Sequence, residues 1–298
     1  MDRPALSAGS PAGAPRVPSG GFGRLSFGFL AVAVLSGAAL APFWSSTAPL
    51  DSLERLQGGL PWGFLLRATH VFSSYGLLAA TAAHLLQVVA KKTEGQLRPA
   101  VWWRSVLLLP VAVAALLGGF LLRGDAEAAA ALAIWRQILG SVPLVGPELA
   151  RLLLGTVPAD LGAVTLHHAG TFTLFLWLFT SEHGERLWPD VRGTALAGLV
   201  SVSLAAAVPL PLGVPPAGPV AGASAHLLLG PWYLLGLQGA LVDLPPAAGW
   251  LGPLALVLPL GLLRHAKGRR RAASVALLVA WAAAYAVFTV RLLLLSRA

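Results

Sequence analysis

The chain has 298 residues, of which 56% are hydrophobic and only 11% charged, and its mean hydropathy is +0.75. This composition excludes a soluble globular domain and indicates a polytopic membrane protein. The absence of cysteine excludes disulfides, thiolate metal clusters and covalently attached c-type haem. We interpret the net charge of +9 as basic loops facing the cytoplasm, not as a nucleic-acid-binding surface.

A proline-rich tail comes first in the chain, and seven apolar segments follow it. Residues 1–21 lack the charged, apolar and cleavage regions of a signal peptide, so we predict a disordered cytoplasmic tail. The apolar segments have about the 20 residues that a bilayer requires, and they lie at 22–44, 64–90, 102–122, 163–183, 194–212, 249–265 and 273–295. The predicted fold is all-α, with about seven transmembrane helices. They divide into a four-helix core (22–190) and a C-terminal three-helix membrane region (191–298).

The charged residues of the loops predict the orientation in the membrane. Basic residues cluster in the tail and after the second, fourth and sixth spans, whereas most acidic residues lie in the opposite loops. Because basic loops stay in the cytoplasm, we place the N-terminus there, in a prokaryotic cytoplasmic membrane. Tryptophans near the predicted span ends are interpreted as an interfacial belt; they are Trp44, Trp62, Trp102, Trp103, Trp188 and Trp250.

Two histidines stand at the i and i+14 positions of the second span, in the stretch RATHVFSSYGLLAATAAH. At about 100° per residue, His70 and His84 leave the same face of a helix, about 21 Å apart along its axis. Two ligands on one face at two depths indicate that two groups are bound.

The fourth span carries a matching set of histidines. His183 stands at i+15 from His168, so these two lie broadly on one face, whereas His167 and His183 point to opposing faces. We therefore pair His70 with His168 near the outer surface and His84 with His183 near the inner surface. His167 is interpreted as a neighbour that lines a cavity or the membrane boundary, and His226 and His265 as interfacial residues.

Three kinds of chemistry compete as explanations of these histidines. A single intramembrane histidine is commonly a hydrogen-bonded core residue or part of a proton relay. A zinc site would need further ligands, but no Cys, Asp or Glu lies at ligand spacing within the spans. Haem iron needs only two axial ligands, because the porphyrin supplies the other four. The sequence therefore predicts two b-type haems, bound non-covalently, each by two histidines.

The chain resembles the cytochrome b of the cytochrome bc complexes over nearly all of its length after the tail. The family's R-x-x-H, with a second histidine at i+14 from the first, is matched by Arg67, His70 and His84. The histidine spacing of 14 residues in the second span and 15 in the fourth is similar to that of the b–f type branch. Two glycines in the i, i+14 relation in the first helix are matched by Gly23 and Gly37. Other matching positions are Ser105 and Gly119 in the third helix, the amphipathic segment 140–155, the stretch 230–245, and a C-terminal part resembling the fused third- and fourth-subunit helices.

The resemblance implies a subunit that carries electrons across the bilayer between a quinone pool and a partner redox protein. It implies that small residues at 23, 37, 105 and 119 admit the flat haems. Arg67 would reach a haem propionate; simple snorkelling to the interface is the alternative. The partners would be membrane lipid, quinone or quinol, separate iron–sulfur or c-type cytochrome subunits, and a second copy within a larger complex. No nucleic acid is expected.

One family motif is altered in this sequence. The outer quinol site of the family carries P-E-W-Y, which appears here as Gly230, Pro231, Trp232 and Tyr233. Trp232 and Tyr233 are candidate quinone-binding residues. Proline has no titratable group and no backbone N–H, so Pro231 cannot take the proton of a quinol. We therefore predict that bifurcated quinol oxidation is weak or absent.

A membrane transporter or channel that uses the histidines as a proton relay is the alternative from another class. Transporters commonly show interrupted helices near the midplane and internal repeats. The two histidine-bearing spans match in ligand spacing but not in the surrounding sequence. An absorption spectrum of the purified protein separates the two classes.

Overall fold

The computed structural model describes residues 21–156, 161–215 and 228–297, and these residues are helical with connecting turns and loops and no strand. Most of the predicted tail and His226 lie outside the described residues. In chain order the α-helices are α1 (Gly21–Leu40), α2 (Pro49–Gly59), α3 (Gly63–Lys91), α4 (Pro99–Leu121), α5 (Ala126–Gly140), α6 (Gly146–Leu154), α7 (Gly162–Thr165), α8 (Thr173–Gly184), α9 (Val191–Ala207), α10 (Leu235–Leu241), α11 (Leu251–Leu263) and α12 (Gly268–Leu295). Short 3-10 turns occupy Ala41–Phe43, Glu94–Gln96, Trp232–Leu234 and Pro246–Trp250.

Five of these helical segments are long and apolar enough to cross a membrane. They are Gly21–Phe43, Gly63–Lys91, Pro99–Leu121, Pro246–Leu263 and Gly268–Leu295. The protein is therefore an all-helical, polytopic integral membrane protein, as its composition predicts. The predicted fourth span is also helical, but it is built of α7, a π-helical turn (Leu166–Phe172) and α8.

The predicted fifth span is shorter than expected. We predicted residues 194–212, whereas α9 ends at Ala207 and is followed by extended backbone at Val208. Pro209 and Pro211 explain the difference, because proline cannot donate the backbone hydrogen bond that continues a helix. At its other end, the Asp190 carboxylate accepts a hydrogen bond from the Gly193 N–H at 2.9 Å and caps the helix.

An apolar layer lies in the middle of the bundle formed by α1, α3, α4 and α8. Phe27 and Leu30 of α1, Leu77 of α3, Ala112 of α4 and Leu176 of α8 belong to one buried cluster. On α3 this cluster lies between His70 and His84, so it separates the two histidine levels from each other.

The helix α9 packs against both α1 and α3, and its backbone comes close to that of α1. A Cβ atom on Gly28 would lie only 2.5 Å from the carbonyl oxygen of Gly193, so the crossing requires glycine at this position. In the C-terminal region, α12 packs against α10 and α11.

The segment 140–155 was predicted to be amphipathic. The helix α6 buries Ala150 and Leu154 and exposes Glu148 and Arg151, so its amphipathic character is confirmed.

The prediction for Trp102 is wrong. Trp102 is not part of an interfacial belt: it is 2% exposed, and its Nε1–H donates to the Gly261 carbonyl at 3.1 Å. Burial with a hydrogen-bond partner for the indole N–H explains its place in the interior.

Candidate functional site

At the first level of the bundle, His70 of α3 faces His168 of the π turn. The ring centroids are 6.0 Å apart and the ring planes are nearly perpendicular, at 85°. The His70 Nδ1 lies 3.0 Å from the Ala33 carbonyl oxygen, and the His168 Nδ1 lies 2.7 Å from that of Ala115. Since a carbonyl oxygen only accepts, both Nδ1 atoms carry the proton, and both Nε2 lone pairs are left free for a ligand.

At the second level, His84 of α3 faces His183 near the end of α8. Their ring centroids are 5.8 Å apart, with an interplanar angle of 63°. The His183 Nδ1 lies 3.1 Å from the Ser105 hydroxyl. Among the described residues, the buried His84 Nδ1 has no hydrogen-bond partner of ordinary geometry, although the side chain of Gln87 lies beside it.

The ring separation at both levels is what one shared metal ion requires. An ion held between two imidazole nitrogens, at about 2 Å from each, places the ring centres about 6 Å apart. Within the described parts of the chain, no group of three or more His, Cys, Asp or Glu side chains is placed to hold a metal ion. The donor set therefore fits a metal whose remaining ligands come with it, which is the case for haem iron.

Glycine backbones lie against three of the four histidine rings. A Cβ atom on Gly37 would lie 2.9 Å from the His70 ring, one on Gly23 3.2 Å from His84, and one on Gly119 3.0 Å from His168. Side chains at these positions would compete for space with the rings and with anything flat between them. The serine at position 105 is the predicted small residue on the fourth ring, and it contacts that ring through its hydroxyl.

Of the two adjacent histidines in the π turn, His168 faces His70 and His167 does not. The His167 Nδ1 is 3.1 Å from the Thr171 hydroxyl and its Nε2 is 3.0 Å from the Leu152 carbonyl oxygen, so both nitrogens are used away from the paired rings. A π turn inserts one extra residue into an α-helix. The i+15 spacing of His168 and His183 is therefore equivalent to the i+14 spacing of the histidines in α3. In the sequence, the sign of this turn is the difference between the two histidine spacings, i+14 in α3 and i+15 in the fourth segment.

Arg67 lies one turn from His70 and is only 8% exposed, so it does not snorkel to the interface. Its guanidinium donates to the Gln57 side-chain oxygen and to the Pro211 carbonyl oxygen, the latter at 3.4 Å. Across the described residues, none of the ion pairs includes Arg67. A buried cation with neutral partners favours an anionic ligand group beside it.

The stretch 230–233, which resembles the family's P-E-W-Y motif, lies at the same end of the bundle as Arg67. Trp232 and Tyr233 both contact Tyr75 of α3, with ring centroids 5.7 and 6.3 Å apart, and burial raises the pKa of Tyr233. Pro231 and Glu127 line a cavity between α5 and residues 228–241. Its volume of about 30 Å³ is room for about two water molecules.

Comparison with known proteins identifies the family. The family model described as Cytochrome b/b6/petB matches residues 18–181, which include α1, α3, α4 and most of the fourth helical segment. The chain belongs to the cytochrome b family. The predicted resemblance is confirmed, and membership implies haem binding and bc-type electron transfer in a membrane. The match ends just before His183.

A solved structure shares the fold of this cytochrome b. A chain of the structure titled "Hyperthermophilic respiratory Complex III" superposes with a TM-score of 0.63 at 19% sequence identity. The alignment covers 94% of this chain and 90% of that chain. It therefore includes the C-terminal helices that lie beyond the family match. A search of curated proteins gave no match.

Proposed function

We propose that this cytochrome b holds two haems and carries electrons across the membrane between them. His70 and His168 would hold the outer haem iron, and His84 and His183 would hold the inner one. The observation that carries the proposal is the occurrence of two facing histidine pairs on the same two helical segments. Both pairs have the ring separation that one shared iron requires.

The protein's own contribution is to orient and insulate the two sites. Haem, when bound, supplies the reversible one-electron chemistry. The Ala33 and Ala115 carbonyls fix the ring tautomers at the outer level. The buried cluster around Leu77 and Ala112 consists of apolar side chains. Apolar side chains at this depth do not pass protons, whereas a proton relay uses ionisable or polar side chains.

Arg67 would bind a propionate of the outer haem. The carboxylate would give the buried guanidinium an anionic partner, in a charge-assisted hydrogen bond. Gln57, which already accepts from Arg67, would hold the guanidinium in place.

Quinone chemistry at the outer surface would differ from that of a standard bc-type cytochrome b. Pro231 supplies no base. Asp125 is fully buried, caps α5 through the Ala128 N–H and pairs with Arg123, so it is committed to structure. Glu127 lines the cavity beside Pro231 but also pairs with Arg123. We propose that bifurcated quinol oxidation is weak or absent and that the haems connect an outer redox partner with an inner quinone site.

The remaining components would be separate chains of a larger complex in a prokaryotic cytoplasmic membrane. Because the chain has no cysteine, it cannot itself hold an iron–sulfur cluster or a covalent haem. Support for a multisubunit assembly comes from the fold shared with a chain of a respiratory complex III, and we expect two copies of the cytochrome b in it. The basic loops support a cytoplasmic N-terminus.

Haem counting tests the proposal. The purified protein should show a reducible b-type spectrum and two haems per chain by the pyridine haemochrome assay, with two steps in a redox titration. A protein without a reducible haem signal would exclude the cytochrome function, and one haem per chain would exclude the two-site assignment.

A further inference from the structure

We infer that Ser105 is a positioning residue that sets the tautomer and the donor strength of His183 at the inner haem. The inference rests on the proposed di-haem function and concerns one side chain that the family pattern would make a glycine. It starts from the different hydrogen-bond partners of the four paired histidines.

The hydroxyl of Ser105 makes two hydrogen bonds. Its Oγ lies 2.8 Å from the Val101 carbonyl oxygen, one turn back on α4, and 3.1 Å from the His183 Nδ1. A serine hydroxyl has a single proton. Since the Val101 carbonyl can only accept, that proton is donated to it, and the Ser105 oxygen must accept from the His183 Nδ1–H.

This arrangement leaves one tautomer for His183. With the proton on Nδ1, the Nε2 lone pair is the atom available to an iron between His183 and His84. Donation from Nδ1–H also makes an imidazole a stronger donor to its metal. At the outer level both rings have a backbone carbonyl partner, and the Ser36 hydroxyl also lies 3.3 Å from the His70 Nδ1. At the inner level, among the described residues, the partner of His183 is the Ser105 side chain, with no backbone carbonyl beside it.

The Ser105 side chain matters more at the inner level because the other inner ring, His84, has no comparable hydrogen bond. Its buried Nδ1 has no hydrogen-bond partner of ordinary geometry among the residues that the structure describes. The Gln87 side chain lies beside His84, so Ser105 is the acceptor of ordinary hydrogen-bond geometry at the inner level among the described residues. A partner of a metal-ligating histidine is typically worth a factor of about 10 to 100 in metal affinity.

The test compares three variants of the full chain in the purified complex. Ser105→Ala removes the acceptor, and Ser105→Thr retains a hydroxyl. Ser201→Ala is the matched control, because the buried Ser201 hydroxyl also donates one turn back, to the Ala197 carbonyl at 2.8 Å, and has no hydrogen bond to a histidine among the described residues. The readouts are haem content, a redox titration that resolves the two haems, and the low-spin ferric EPR signals.

Ser105→Ala should weaken the preference of the inner haem for the ferric state about tenfold, which raises its midpoint potential by about 59 mV. In Ser105→Ala the EPR signal of the inner haem should shift and the outer haem should be unchanged. Ser105→Thr should restore the inner potential, and Ser201→Ala should change neither haem. Selective loss of the inner haem in Ser105→Ala would also support the inference. Unchanged potentials, equal shifts of both haems, or loss of both would overturn it. Failure of the di-haem proposal would be visible separately, as fewer than two haems in the unmodified chain.

Discussion

Deleting Gly170 should leave both haem sites intact, because the π turn already contains one residue more than an α-helix needs. Gly170 is exposed, and a Cβ atom there would meet only the end of Leu166, 3.8 Å away. The deletion converts the π turn to an α turn and gives His168 and His183 the i, i+14 spacing. At about 100° per residue, the two rings then have the relation that His70 and His84 have in α3.

The matched control deletes a residue where the helix has no extra one to lose. Ala79 is exposed and lies between His70 and His84 in the uninterrupted helix α3. Its deletion turns His84 by about 100° and moves it about 1.5 Å along the axis relative to His70. We expect two haems per chain after deletion of Gly170 and one after deletion of Ala79, by the pyridine haemochrome assay. Loss of a haem from the Gly170 deletion, with the protein still folded by circular dichroism, would refute this interpretation of the π turn.

Four other experiments test the site more directly. His84→Leu should reduce two haems per chain to one and leave the outer haem spectrally intact; retention of both with an unchanged redox titration would contradict the pairing. His168→Leu should lose the outer haem and His167→Leu should keep it, and the reverse result would mean that His167 is the ligand. Gly37→Ala should lower outer-haem content because its Cβ would lie 2.9 Å from a histidine ring, whereas Gly252→Ala, with nothing within 4 Å, should not. If Pro231 occupies the place of the motif glutamate, as the resemblance implies, quinol added to the intact complex with the inner site inhibited should reduce the outer haem slowly in stopped flow. Rapid reduction coupled one-to-one to reduction of a high-potential partner would show that bifurcation survives.

The positions of the paired histidines could be predicted because helical periodicity is a local property of the sequence. The spacing of His70 and His84 determines a shared face without knowledge of the neighbouring helices. The choice of His168 over His167 followed from the same angular argument, applied to a regular α-helix. When the extra residue of the π turn is left out of the count, His168 lies about 40° and His167 about 60° from the His183 face. The choice therefore still favours His168, but by a smaller margin than a regular helix suggests.

The hydrogen bonds that orient the rings could not be predicted in the same way. The acceptors of His70 and His168 are the backbone carbonyls of Ala33 and Ala115, and every residue has such a carbonyl. Which of them meets an imidazole depends on how far two helices are shifted along each other. Trp102 shows the same dependence: its position near a span end suggested an interfacial residue, and packing against the Gly261 backbone placed it in the interior.

Ser105 was predicted as a site residue from the sequence, but its hydrogen bond was not. At the level of the sequence it counted only as a small residue where the family has glycine, so its size was used and its hydroxyl was not. Packing brings that hydroxyl to the His183 Nδ1. If an inner-level serine does what backbone carbonyls do at the outer level, then the properties of one haem can be changed by a side-chain substitution that leaves the other untouched. Backbone carbonyls offer no such independent control, because any residue substituted at Ala33 or Ala115 keeps its carbonyl.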